Sequence, residues 1–140
     1  MISNYKKVYF IDDDPIFVFI SRKLILEQKF CEDLKVFENG KLAIEDLLDI
    51  ENKGEQLPEI IFLDLTMPVM NGWEFLASYQ AAPITSKNKI KIIVMSSSIN
   101  PLEIDLIKSY PIVEDYIVKP LTPADLNKII NNNPINELKD

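Results

Sequence analysis

Five short apolar runs, each followed by a polar or acidic turn and then a helix signal, constrain this chain more than any other feature. The runs are Val8-Tyr9-Phe10-Ile11, Leu34-Lys35-Val36-Phe37, Ile60-Ile61-Phe62-Leu63, Ile90 to Met95, and Tyr116-Ile117-Val118. Runs this short and this apolar read as strands buried on both faces of a parallel sheet. The intervening segments read as helices. Asp14-Pro15 supplies an N-cap with proline at the first helical position, and that helix is expected to run to about Phe30. A second spans about Gly40 to Ile50, with Ala43, Ile44, Leu47 and Leu48 on one face. The third covers about Trp73 to Gln80 and the fourth Pro101 to Ser109. Thr122-Pro123-Ala124-Asp125 opens the last. Segments 51–58 and 81–89 are polar loops. Five βα units of this length imply an α/β fold: a doubly wound five-stranded parallel sheet whose right-handed crossovers put helices on both faces. With no repeat or linker in 140 residues, one domain is expected over 1–140, its core at about 7–130 and 131–140 a polar C-terminal tail.

Composition narrows the function classes. A net charge of −7 argues against a nucleic-acid surface, which needs clustered Lys and Arg. No apolar run is long enough to span a bilayer and no signal-peptide core opens the chain, so no membrane partner is expected. The single cysteine, Cys31, forbids an internal disulfide and suits a reducing, cytoplasmic setting. Histidine is absent, which removes an imidazole base, the usual zinc ligand and any phosphohistidine of the chain's own.

In open parallel sheets chemistry gathers beyond the carboxyl ends of the strands. Here the first strand ends in Asp12-Asp13, the third in Asp64, the fourth in Ser96 and the fifth in Lys119. Taken alone, Asp64 has a second reading as a cap for the next helix or the opening of the turn that carries Pro68 and Asn71-Gly72. Taken together, the strand ends bring three carboxylates, one hydroxyl and one ammonium to a single site. Three close carboxylates repel unless protonated or bridged by a cation. An all-oxygen, partly open site suits Mg²⁺. A hydroxyl donor and a lysine are what a phosphoryl group on Asp64 would need besides the metal.

Four stretches in this order resemble a known family: Asp12-Asp13 after the first strand, LDLTMPVMNG around Asp64, VMSSS after the fourth strand and DYIVKP at the fifth. They look like the response-regulator receiver domain of two-component signalling, and the resemblance runs from about Lys7 to Ile130. It implies a flavodoxin-like (βα)5 sheet with strand order 2-1-3-4-5. It implies Asp64 as phosphoacceptor, with Asp12, Asp13, Asp64 and the backbone carbonyl of Thr66 holding Mg²⁺, or Mn²⁺ in its place. Ser96 takes the place of the switch hydroxyl, Lys119 that of the phosphate's partner and Tyr116 that of the aromatic switch, expected to turn inward on activation. The partners implied are a histidine kinase or histidine-containing phosphotransfer protein and an unnamed downstream protein, with homodimerisation on phosphorylation a further possibility. The combination MPVMNGWEFL with SSSINP is similar to the stand-alone receivers common in Bacteroidetes. Such a chain is a switch that promotes only its own phosphorylation and dephosphorylation, not an enzyme on another substrate. Two features depart from the family pattern: longer loops after the second and third helices, and Pro111-Ile112-Val113 ahead of the fifth strand.

Other classes stay in view. A Mg²⁺ phosphatase or phosphotransferase of the haloacid-dehalogenase type wants a second acid two residues after the nucleophile, where this chain has Thr66. A non-phosphorylated module of the same fold is the other alternative, and the complete set of site residues argues against it. A flavodoxin-like cofactor carrier lacks its phosphate loop. Lesser expectations complete the reading. Asp14 only caps a helix. The Lys119–Pro120 bond is cis, aiming the lysine back at Asp64. Trp73 reports on the metal site. Thr66 and Ser98, small and neutral, border the path of hydrolytic water. Phe17, Ile20, Leu24 and Ile25 share the buried stripe of the first helix, leaving Phe19 and Leu26 off it, with Phe19 as part of a docking surface.

Overall fold

A computed structural model describes residues 4–97, 100–132 and 135. Ser98 and most of the segment 131–140 therefore lie outside the described residues. The strands are β1 (Tyr5–Ile11), β2 (Cys31–Phe37), β3 (Ile60–Asp64), β4 (Lys91–Ser96) and β5 (Val113–Val118). The helices are α1 (Pro15–Glu27), α2 (Gly40–Lys53), α3 (Gly72–Ala81), α4 (Pro101–Lys108) and α5 (Pro123–Ile130), with one 3-10 turn at Lys87–Lys89. All pairings are parallel and the order is β2-β1-β3-β4-β5, the doubly wound five-stranded sheet expected. Among the described residues, no helix is long and apolar enough to cross a membrane.

Strand alternation divides the core in two. Ile61 and Leu63 point to one face, where they cluster with Ala43 and Leu47 of α2, Phe75 and Tyr79 of α3 and Ile107 of α4. Ile60 and Phe62 point to the other, against Ile25 of α1 and Leu126 and Ile129 of α5. All five residues of β3 are buried, so Asp64 is carried to the sheet's edge by its most enclosed strand. Fixing that strand fixes the carboxylate.

Several boundaries moved for identifiable reasons. α1 stops at Glu27, three residues short of Phe30, because Lys29 takes a left-handed φ of 53° and Phe30 N–H bonds back to Ile25 O. α2 runs on to Lys53 and ends at Gly54, whose φ of 67° glycine tolerates. β5 begins at Val113 rather than Tyr116. The charges of Glu114 and Asp115 hide it in the sequence, yet Asp115 is buried and accepts the N–H groups of Tyr116 and Ile135. Ile135 packs against the second core cluster, so at least this residue of the expected solvated tail is held. Ile20 is exposed, whereas Ser21 takes its place in the buried stripe of α1 with Ile25. The stripe is centred between Phe17 and Ile25, about 100° of helix rotation from Ile20. Phe19 and Leu26 are exposed, as expected.

Candidate functional site

The loop that follows Asp64 is set by close packing. Gly72 opens α3 directly beneath the end of β3, and a Cβ there would fall 2.6 Å from the Asp64 carbonyl oxygen and 2.7 Å from Leu65 Cα. Only glycine lets the helix approach that near. The turn expected at Asn71-Gly72 is instead a helix start. Asn71 caps α3 in a reciprocal capping box with Glu74, which removes the alternative role of Asp64 as the helix cap. The left-handed residue of the loop is Val69, with φ 67° and its side chain exposed. A β-branched residue there is a strained conformation beside the site.

The strand ends converge as anticipated. Asp13, Asp14, Asp64, Leu65, Thr66, Ser96, Ser97, Glu103 and Lys119 line one open cavity of about 330 Å³. Asp12 lies beneath it, fully buried, with its Oδ1 accepting the Asp14 backbone N–H at 2.9 Å. Asp14 itself caps α1 through the amides of Ile16 and Phe17, the role assigned to it. Lys119 reaches in from the end of β5: its Nζ is 2.9 Å from Asp12 Oδ2 and 3.3 Å from Asp64 Oδ1. Its backbone N–H bonds to Ser96 O at 2.8 Å, pinning the two strand ends together. The same ammonium sits 4.4 Å from the centre of the Phe17 ring. The Lys119–Pro120 bond is cis, as expected.

Electrostatics follow from burial and crowding. Burial pushes the Asp64 carboxyl up to about 6, the Asp12 charge adds to the rise, and Lys119 with the Thr66 N–H opposes it. For Lys119, burial lowers the pKa, but pairing with Asp12 and Asp64 outweighs it and the ammonium is held charged. One atom of the cluster is poorly served. Asp12 Oδ2 is buried and meets Lys119 off the axis of a proper hydrogen bond. One carboxylate oxygen from each of Asp12, Asp13 and Asp64 lies within 4.8 Å of the other two. An all-oxygen donor set this tight, with a lone pair to spare, fits a hard divalent cation.

Tyr116 and Trp73 are not among the residues that line the cavity. Tyr116 is only 9% exposed, packed in the cluster that holds Ile107. Its ring lies inward in this structure, on the same sheet face as its neighbour Val94. Trp73 packs against Tyr110, ring centres 5.5 Å apart. One residue was missed. Glu103, in the first turn of α4, accepts a 2.7 Å hydrogen bond from Ser96 Oγ. The signal was present, since an acid at the third position of a helix opened by Asn100-Pro101 faces back toward the strand end that precedes it.

The family model for the response regulator receiver domain matches residues 8–131. The two-component response regulator ORR1 of Oryza sativa subsp. japonica is 30% identical over 132 residues, 93% of this chain and 56% of that protein. The chain thus spans little more than half the length of that relative. A two-component response regulator from Cytophaga hutchinsonii superposes with a TM-score of 0.83 at 31% identity, covering 91% of this chain and 96% of that one. The fold is shared, at 16% identity and a TM-score of 0.73, with the receiver domain of a sensor histidine kinase from Pseudomonas aeruginosa PAO1, described with a magnesium ion in its active-site cleft. That match covers 91% of this chain and 95% of the other. With the sheet order, the strand-end carboxylates and the lysine already in place, a match over residues 8–131 completes the case: the chain belongs to the response regulator receiver domain family.

Proposed function

We propose that this chain is a phosphorylation-dependent switch of a two-component system, with Asp64 as the residue that takes the phosphoryl group. The observation that carries this reading is the Lys119 ammonium lying between Asp12 and Asp64 at the mouth of a cavity into which Asp64 opens. Asp12, Asp13, Asp64 and the Thr66 carbonyl would hold Mg²⁺, with Mn²⁺ a substitute. When bound, the cation neutralises the carboxylates and the charge developing on the transferred group. Asp64 Oδ attacks the phosphorus of a phosphohistidine in line. The P–N bond breaks as the P–O bond forms, and the leaving imidazole nitrogen keeps the electron pair and takes a proton. Lys119 balances charge on the phosphoryl oxygens, and Ser96 donates a hydrogen bond to one of them. The chain changes itself rather than a separate substrate, so it acts as a switch and not as an enzyme on others.

Neutral hydroxylamine tests the linkage. A phosphoryl group taken up from acetyl phosphate should be released by it as an acyl phosphate. A label that survives hydroxylamine would be an ester on serine or tyrosine, and Asp64 would not be the acceptor.

The phosphoryl donor is read as a histidine kinase or histidine-containing phosphotransfer protein that approaches over α1. Ile16 and Phe19 are about 70% exposed on the helix that Asp14 caps beside the metal-binding pair. Exposed apolar side chains grouped in this way mark partner surfaces. Phe19→Ala should slow transfer from a phosphorylated histidine protein about tenfold, the scale of an interface residue worth more than about 1 kcal/mol. It should leave uptake from acetyl phosphate unchanged. Equal slowing with both donors would place the defect in the site and not in docking. Downstream, α4, β5 and α5 form the face a partner would read, with Ser96 and the packed Tyr116 ring at its origin. Homodimerisation through that face on phosphorylation belongs to the same reading. One receiver domain over 1–140 with its core at about 7–130, working in the cytoplasm without nucleic acid or membrane, fits the acidic charge and the one buried cysteine.

A further inference from the structure

The bond between Ser96 and Glu103 joins the end of β4 to the first turn of α4 inside the cavity that Asp64 faces. Ser96 is 6% exposed and Glu103 half-buried, so this contact is partly shielded from water. A serine hydroxyl carries one hydrogen and can donate to only one acceptor at a time. A short bond to a carboxylate is also stronger than one to a neutral acceptor.

We propose that Glu103 is a latch on the Ser96 hydroxyl: it holds that proton in the unphosphorylated protein and competes for it with the phosphoryl group arriving on Asp64. The proposal rests on the reading of Asp64 as phosphoacceptor and adds a positioning residue to it. Donation to Glu103 and donation to a phosphoryl oxygen exclude each other, so every phosphorylation event breaks the latch. Once Ser96 turns away, the Glu103 carboxylate is left beside phosphoryl oxygens of like charge, and the first turn of α4 is driven outward. That turn carries Leu102, which is 78% exposed, so the movement reaches the surface directly. By linkage, whatever draws α4 outward also frees the hydroxyl and favours phosphorylation.

Beryllofluoride, which mimics a phosphoryl group on a carboxylate, tests this in calorimetric titrations of the full chain with Mg²⁺. Glu103→Ala should bind it about tenfold more tightly than the parent, the low end for a hydrogen bond to a charged group. Glu103→Gln keeps the side-chain volume and a neutral acceptor, and should gain only about threefold. In a Ser96→Ala background the effect of Glu103→Ala should fall to about threefold or less, the part owed to like-charge repulsion alone, because the latch acts through a hydroxyl that is no longer there. A gain that persists undiminished without Ser96 would mark a bare charge effect and overturn the latch. So would equal affinity in the parent and Glu103→Ala. A parent that binds no beryllofluoride in Mg²⁺ would overturn the reading of Asp64 and the latch with it.

Discussion

Lys119→Met is expected to lower stability by about 3 kcal/mol in the absence of divalent cations, the scale of breaking a buried ion pair from one side. The Lys119 side chain is 19% exposed and its Asp12 partner has no exposure at all. Removing the ammonium leaves Asp12 and Asp64 facing each other with nothing between them. Methionine keeps most of the stem and loses only the ammonium with its contact to the Phe17 ring, so the loss reports the charge more than the packing of the stem. Denaturant unfolding in EDTA measures it. Mg²⁺ should shrink the deficit by binding the same carboxylates. Adding Asp12→Asn to the variant should recover at least half of it. A loss below 1 kcal/mol in EDTA, or no recovery with Asp12→Asn, would mean that Lys119 does not compensate the cluster.

Asp64→Asn should have the opposite sign and raise stability by about 3 kcal/mol at pH 7.5 without divalent cations, from a shift of roughly two pKa units. The direction follows from the carboxyl being pushed up from 3.8 to about 6 by burial and by Asp12. Above pH 6 the group is ionised in both the folded and the unfolded chain, and the folded state carries the full penalty. As the pH falls from 6 to 4 the folded chain takes up its proton first and the penalty disappears. The variant should therefore gain at pH 7.5 and gain nothing at pH 4. With Mg²⁺ the order reverses, because the parent offers the ion one carboxylate more. Thermal unfolding at the two pH values checks this, and an equal gain at both would rule out charge as the cause.

The sheet was legible because its strands are apolar on both faces and its helices open with strong caps. Asp14-Pro15 and Thr122-Pro123 could be placed to the residue. The site was legible because a parallel sheet brings all its carboxyl ends to one edge, so Asp12, Asp13, Asp64, Ser96 and Lys119 had to meet if the strands were right. What escaped depended on partners distant in sequence. Asp115 and Glu114 made β5 look like a loop, since nothing in the chain announces that the Ile135 amide comes back to satisfy the buried acid. Ser21 sits inside α1 where a larger apolar residue was expected, and the stripe was drawn through Ile20 instead. Trp73 follows the site in sequence but turns to Tyr110, a contact set by how α3 packs. Glu103 was passed over because a first-turn acid is usually explained by its own helix. Its bond to Ser96 exists only once β4 and α4 are folded back on each other.

The most direct test of the central claim is the intact mass of the protein after incubation with acetyl phosphate and Mg²⁺. The parent should gain the mass of one phosphoryl group, Asp64→Asn should gain none, and the parent with EDTA in place of Mg²⁺ should gain little. An unchanged parent, or one phosphoryl group still present on Asp64→Asn, would contradict the assignment of Asp64.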